Sequence, residues 1–206
     1  MPDMYFISLL AAAINNTAPK LPPEDIDWNK MYVLADKNGV AGTLYYSIIK
    51  LPKECRPNKD VFALFEKSMR IALGIESMQH FEISALMDLL EQYKIEYIPL
   101  KGWLMKNYYP YPNMRTMCDV DILINQADMG KIPKILAECG FELEAHGANH
   151  DGYIKSGNIA TEIHWGLFSE DSDYYGYFKD ILQRAENVDG REYQRYMSLE
   201  DFYLHM

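Results

Sequence analysis

Between Asp60 and about Tyr93 apolar residues recur at helical spacing, among them Val61, Leu64, Phe65, Met69, Leu73, Met78, Leu86 and Leu90, and at Lys94 that period stops. The runs that follow are short and β-rich: IEYIPL at 95–100, DVDILI at 119–124, then FELEAHG, DGYIKSG and IATEIHW between 141 and 165. Helical stretches return between them, WLMKNYY after Lys101-Gly102 and QADMGKIPKILAECG ahead of the last three strands. A chain that alternates periods in this way builds an α/β core with a small sheet. The 60–93 segment is expected to be one long helix or two abutting ones, with Gly74 as the break. Three short helices are expected before it, at 4–14, 27–37 and 42–49, which makes residues 1–75 an N-terminal helical segment. Gly140 reads as the stop of the helix that starts near Gln126, and the two glycines of DGYIKSG bracket the middle strand.

What the chain lacks narrows the function classes. The run YFISLLAAAI has no basic flank and about half the length of a membrane span, so no membrane segment is expected. Cys55, Cys118 and Cys139 form no CxxC or zinc spacing and suit a reducing, cytoplasmic setting. A formal net charge of -10 disfavours a broad basic groove for nucleic acid and favours small molecules or proteins as partners. Ser198-Leu199-Glu200-Asp201 has the form of a capping box opening a helix, and the chain stops at Met206 after barely one turn, so residues 191–206 read as the start of a truncated helical region.

The stretch MRTMCDVDILI holds the main anomaly, because Asp119 and Asp121 sit among Val120, Ile122, Leu123 and Ile124 in what otherwise reads as a buried strand. A period of two puts both carboxylates on one face, roughly 6 to 7 Å apart along the strand. Like charges so placed raise each other's pKa, and a divalent cation with hard oxygen ligands removes the repulsion. A strand end that reaches solvent, or an ion pair from Asp119 to Arg115, accounts for the triplet equally well when it is taken alone. The Asp25/Asp27 and Asp171/Asp173 triplets lie in polar turns and read as surface.

A third carboxylate tips the balance. Glu162 in IATEIHW lies on another expected strand, and three carboxylates on neighbouring strands form an oxygen cage able to hold two metal ions for displacement at phosphorus. His164, on the same face as Glu162, reads as a hydrogen-bonded structural residue. Gly102 would let backbone approach a phosphate, Lys101 would add a point charge, and Arg115 offers a fork that either meets phosphate or braces the aspartates. The tyrosines 108, 109 and 111 read as packing, with base stacking as the other use.

The stretch LKGWLMKNYYPYPNMRTMCDVDILI together with TEIHW resembles the nucleotidyltransferases of the DNA polymerase beta superfamily. Within that superfamily it is similar to the uncharacterised nucleotidyltransferase family, whose hallmarks are a Leu-Lys-Gly turn, a Tyr-Pro segment, an Arg ahead of Asp-x-Asp-x-Leu, and a later Glu-x-His-Trp. The similarity runs the length of the chain. It implies a polymerase-beta-type core over about residues 76–190, with a small mixed sheet flanked by helices. It further implies that Asp119 and Asp121 bind two Mg²⁺ (or Mn²⁺) ions, that Glu162 completes the site and helps deprotonate an incoming hydroxyl, and that the Lys101-Gly102 turn holds the triphosphate of a nucleoside triphosphate. The chain departs from the wider superfamily in having Lys-Gly-Trp where Gly-Ser is usual, and Glu for the commoner third Asp. The expected activity is transfer of a nucleoside monophosphate to a small-molecule or protein hydroxyl. A nucleotide-binding relic without turnover, and a toxin-type transferase that modifies tRNA or protein, are the alternatives.

Overall fold

A computed structural model describes residues 2–156 and 159–206. The helices are α1 (Pro2–Ile14), α2 (Trp28–Lys37), α3 (Ala41–Ile48), α4 (Lys59–Gln92), α5 (Lys101–Met105), α6 (Ile132–Glu138), α7 (Tyr175–Phe178), α8 (Ile181–Arg184) and α9 (Leu199–His205). The strands are β1 (Tyr97–Pro99), β2 (Asp119–Ile124), β3 (Glu142–His146), β4 (His150–Lys155), β5 (Ile159–His164), β6 (Glu186–Asn187) and β7 (Arg195–Tyr196). Gly157, the second of the two glycines expected to bracket the middle strand, lies outside the described residues. Among the described residues no helix is long and apolar enough to cross a membrane.

The chain folds into two compact units, Met1–Ser77 with Met105–Thr116, and Met78–Leu104 with Met117–Met206. In the first, α2 starts where Asp27 caps it, accepting from the backbone N–H groups of Asn29 and Lys30 at 3.1 Å each. Leu9, Met31, Ala35, Leu44, Ile48, Val61 and Phe65 make the core. Gly42 allows α3 to lie directly on α4, since a Cβ there would stand 3.1 Å from the Met69 Cα and the Ser68 carbonyl oxygen. Tyr111 stacks on Tyr46 at 4.2 Å between centroids, so that tyrosine packs, as expected. Lys106, almost fully buried, pairs with Glu76 at 3.2 Å, and burial lowers its pKa.

In the second unit a five-stranded sheet runs in the order β1-β2-β5-β4-β3. The β2–β5 pair is parallel and the others antiparallel, so the sheet is mixed. Val120, Ile122 and Ile124 point from β2 into a core with Ile83, Leu86 and Leu90 of α4 and Ile132, Ile135 and Leu136 of α6. On the opposite face Leu123 joins Ile98, Leu100, Phe178, Ile181 and Met197. The expected α/β class, small mixed sheet and flanking helices are all present.

The single long helix holds and Gly74 does not break α4, which runs for 34 residues; one glycine costs a helix only about 1 kcal/mol, less than burial of Val61 and Phe65 near one end and Ile83, Leu86 and Leu90 near the other returns. Three expectations need correction. The expected Lys101-Gly102 turn is the first turn of α5, entered straight from β1. The 126–140 helix is a 3-10 segment over Gln126–Lys131 followed by α6, because Pro133 at the start of α6 supplies no backbone N–H to extend an α-ladder backwards; Gly140, at φ +78°, is the stop. The elements α7, α8, β6 and β7, all of four residues or fewer, carry no sequence period and were not anticipated.

Candidate active site

β2 begins at Asp119 because its apolar alternation begins there, and its anchoring is visible on both sides. The Gln79 amide of α4 donates to the Met117 carbonyl at 3.0 Å just ahead of the strand. The backbone N–H of Leu100 donates to the carbonyl of Asp121 at 2.8 Å, which sets the exit of β1 beside that aspartate. Lys101, exposed, follows immediately. Gly102 has a packing role, since a Cβ there would stand 3.2 Å from the Met117 sulfur.

The parallel register sets Asp121 directly opposite Glu162, with Asp119 opposite Ala160. Side chains at paired positions of neighbouring strands share a face, so Asp119, Asp121 and Glu162 line the same side of the sheet as Leu123. Only the Leu123 end of that face is roofed, by Phe178, Ile181 and Met197; the carboxylate end is half-buried. His164 lies between two of the acids, its Nε2 3.1 Å from Asp121 Oδ1 and 3.3 Å from Glu162 Oε2. The hydrogen bond from His164 holds the Asp121 carboxyl below its ordinary pKa against the opposing effect of burial, and Lys101 adds to the lowering.

Two residues that the sequence reading passed over also face this end of the sheet. His150 opens β4 opposite His164, with ring centroids 5.0 Å apart and its Nε2 3.8 Å from Glu162 Oε2. His205 of α9 is electrostatically coupled to Lys101, His164 and Asp121; burial first, then the Lys101 charge, pushes its pKa below the ordinary value. Its Nδ1 is buried without a hydrogen-bond partner among the described residues. Cross-strand register was the signal for His150, and nothing in the sequence pointed to His205.

The six residues picked out from the sequence therefore divide. Lys101, Gly102, Asp119, Asp121 and Glu162 belong to the second unit, around the β1 exit and the β2–β5 pair. Arg115 belongs to the first unit, where its Nε is buried with no hydrogen-bond partner among the described residues.

Residues 24–206 match the model of a family described as uncharacterised nucleotidyltransferase. The chain belongs to that family. No curated protein sequence matches it significantly. Solved structures similar to this nucleotidyltransferase-family chain include the antibiotic-resistance factor ANT(2'')-Ia, at 12% identity and TM-score 0.43 over 62% of this chain and 69% of that one. Another is the lincosamide antibiotic adenylyltransferase LnuA bound to lincomycin, at 20% identity and TM-score 0.45 over 60% of this chain and 82% of that one.

Proposed function

We propose that this member of the family moves a nucleoside monophosphate from a nucleoside triphosphate to an acceptor hydroxyl, releasing pyrophosphate. The observation that carries the reading is the lateral register of Asp121 and Glu162 on adjacent parallel strands, with Asp119 two residues away on the same face. Asp119, Asp121 and Glu162 lie on one face of these two strands, and carboxylate oxygens are a donor set that fits Mg²⁺ or Mn²⁺. Asp121, its pKa lowered by His164, is ionised at neutral pH and ready to ligate. Bound there, such ions would neutralise charge building on the departing pyrophosphate and ease ionisation of the acceptor hydroxyl.

The chain's own groups divide the remaining work. Glu162, about one-third exposed, takes up the proton of the acceptor hydroxyl. His164 keeps Asp121 and Glu162 oriented toward one another through its shared Nε2. Lys101, exposed beside Asp121, meets the negative charge of the triphosphate. A net charge of -10 makes a small alcohol or a protein hydroxyl the favoured acceptor over a polynucleotide.

The test is to incubate the protein and Mg²⁺ with each α-labelled triphosphate and a panel of acceptors, following label transfer and pyrophosphate. Asp119→Ala and Asp121→Ala are expected to abolish transfer, as is a chelator. Undiminished transfer in either variant would refute the assignment. Label arriving only from the γ position would make the protein a kinase, and Mg²⁺-independent nucleotide binding with no pyrophosphate would make it a binding protein.

A further inference from the structure

His150, Glu162 and His164 form a cluster with a different chemistry from the three carboxylates. One donor atom from each lies within 4.8 Å of every other. The separations are 3.3 Å from His164 Nε2 to Glu162 Oε2 and 3.8 Å from His150 Nε2 to the same oxygen. A tetrahedral ion with bonds of about 2.0–2.1 Å holds its ligands roughly 3.3–3.4 Å apart. The two separations from Glu162 are thus within about half an ångström of that spacing, and two imidazoles with one carboxylate are the donors that Zn²⁺ and Co²⁺ prefer over Mg²⁺.

The support behind His150 is built for ligation. Its Nδ1 is 3.4 Å from Asn149 Oδ1, and the Asn149 amide donates to the Gly166 carbonyl at 2.8 Å. That chain presents the Asn149 oxygen to the ring, and an imidazole that donates to it through Nδ1 keeps its Nε2 lone pair free for an ion. Gly147 completes the cradle. The His150 ring lies over its α-carbon, so that a Cβ at 147 would stand 2.6–2.9 Å from three ring atoms. Any side chain there would displace the imidazole from its place beside Glu162.

We propose that His150, Glu162 and His164 bind a borderline transition-metal ion of the Zn²⁺ or Co²⁺ type, with the fourth position left to water or to Asp121. Binding displaces the proton on His164 Nε2 to solvent. It also takes Glu162 out of the carboxylate trio, so this ion and the Mg²⁺-dependent chemistry proposed above are mutually exclusive. The binding itself does not depend on that chemistry.

The experiment titrates Zn²⁺ into the full chain against a chromophoric chelator and records the visible spectrum with Co²⁺, in the absence of nucleotide. One ion per chain and an intense tetrahedral Co²⁺ band are expected. His150→Ala, at a one-third-exposed side chain, is expected to lower affinity at least about tenfold, the size of loss that even outer-sphere changes produce. Gly147→Ala removes no ligand and is expected to weaken binding as well. Asp119→Ala, whose carboxylate is outside the cluster, and Cys118→Ser, which removes the exposed thiol that precedes Asp119 in sequence, are expected to leave it unchanged. Binding that survives His150→Ala, that vanishes in Cys118→Ser, or that gives only an octahedral Co²⁺ spectrum overturns the proposal. Loss of nucleotide transfer in Asp119→Ala with Zn²⁺ binding retained separates this site from the transfer chemistry, and each can fail without the other.

Discussion

The two faces of β2 are built to opposite specifications. On one, Val120, Ile122 and Ile124 are no more than 1% exposed and pack against α4 and α6. On the other, the three positions are Asp119, Asp121 and Leu123, and only the leucine is roofed. Burying three aliphatic side chains contributes on the order of 5–9 kcal/mol before entropy is counted, enough to hold the strand while its other face carries two carboxylates. A strand locked from one side can present like-charged groups on the other without losing its register, so the apolar face accounts for stability and the chemistry proposed above falls to the acidic face.

The largest effect that separates the two faces is on activity. Asp119→Asn removes one negative charge but no core contact, and is expected to reduce nucleotide transfer by about a thousandfold or more, roughly 4 kcal/mol of transition-state stabilisation, while the thermal midpoint moves little. An unfolded Asp119→Asn protein would show that the acidic face also carries stability, and would break the comparison. The reverse expectation holds for Ile122→Ala, which opens a void in a fully buried site and should lower unfolding free energy by about 2–5 kcal/mol in denaturant melts.

How much of this was readable beforehand follows the same division. The bounds of β2 coincide with the alternating run DVDILI, because the period of two is a local signal. Asp119 and Asp121 could be placed on one face for the same reason. That Glu162 stands opposite Asp121 depends on parallel pairing across 41 residues, which no local pattern reports; there the motif TEIHW, not periodicity, was the guide. His150 escaped notice because its significance arises only from pairing with His164 across a hairpin. Lys101-Gly102 looks like a turn in sequence because glycine after a strand usually marks one, whereas Trp103, buried and stacked on His80 at 5.4 Å, draws the chain straight into α5. The short α7 and α8 are held by Phe178 and Ile181 against Leu123 and Ile98, and such tertiary capture leaves no trace in hydropathy.

The roof over Leu123 supplies an intermediate test. Arg184 of α8 donates through Nε and Nη2 to the Asp201 carboxylate of α9 at 3.1 and 3.0 Å, a two-pronged bond to a nearly buried acid. The Arg184 hydrogen bonds hold the Asp201 pKa below its ordinary value, so the folded state binds this proton less readily than the unfolded chain. The resulting stability is fully present above about pH 4, the unfolded value, and is lost as pH falls through the lower folded value. Asp201→Asn should cost about 1–2 kcal/mol at neutral pH and flatten the acid limb of a stability-against-pH curve below about pH 4. An acid limb unchanged in this variant would mean that the pair does not secure the roof.

The smallest expected effect lies away from both faces and has the opposite sign. Gly74 sits inside α4, and a Cβ there would meet nothing within 4 Å. Alanine at that position fills no space that a neighbour needs, and it removes backbone freedom from the unfolded chain. Gly74→Ala should therefore raise unfolding free energy by about 0.5–1 kcal/mol and leave both nucleotide transfer and Zn²⁺ binding untouched. A loss of stability instead would mean that the helix needs local give at Gly74, and the unbroken α4 against which Val120, Ile122 and Ile124 pack would then be a less rigid support for the acidic face than its 34-residue run suggests.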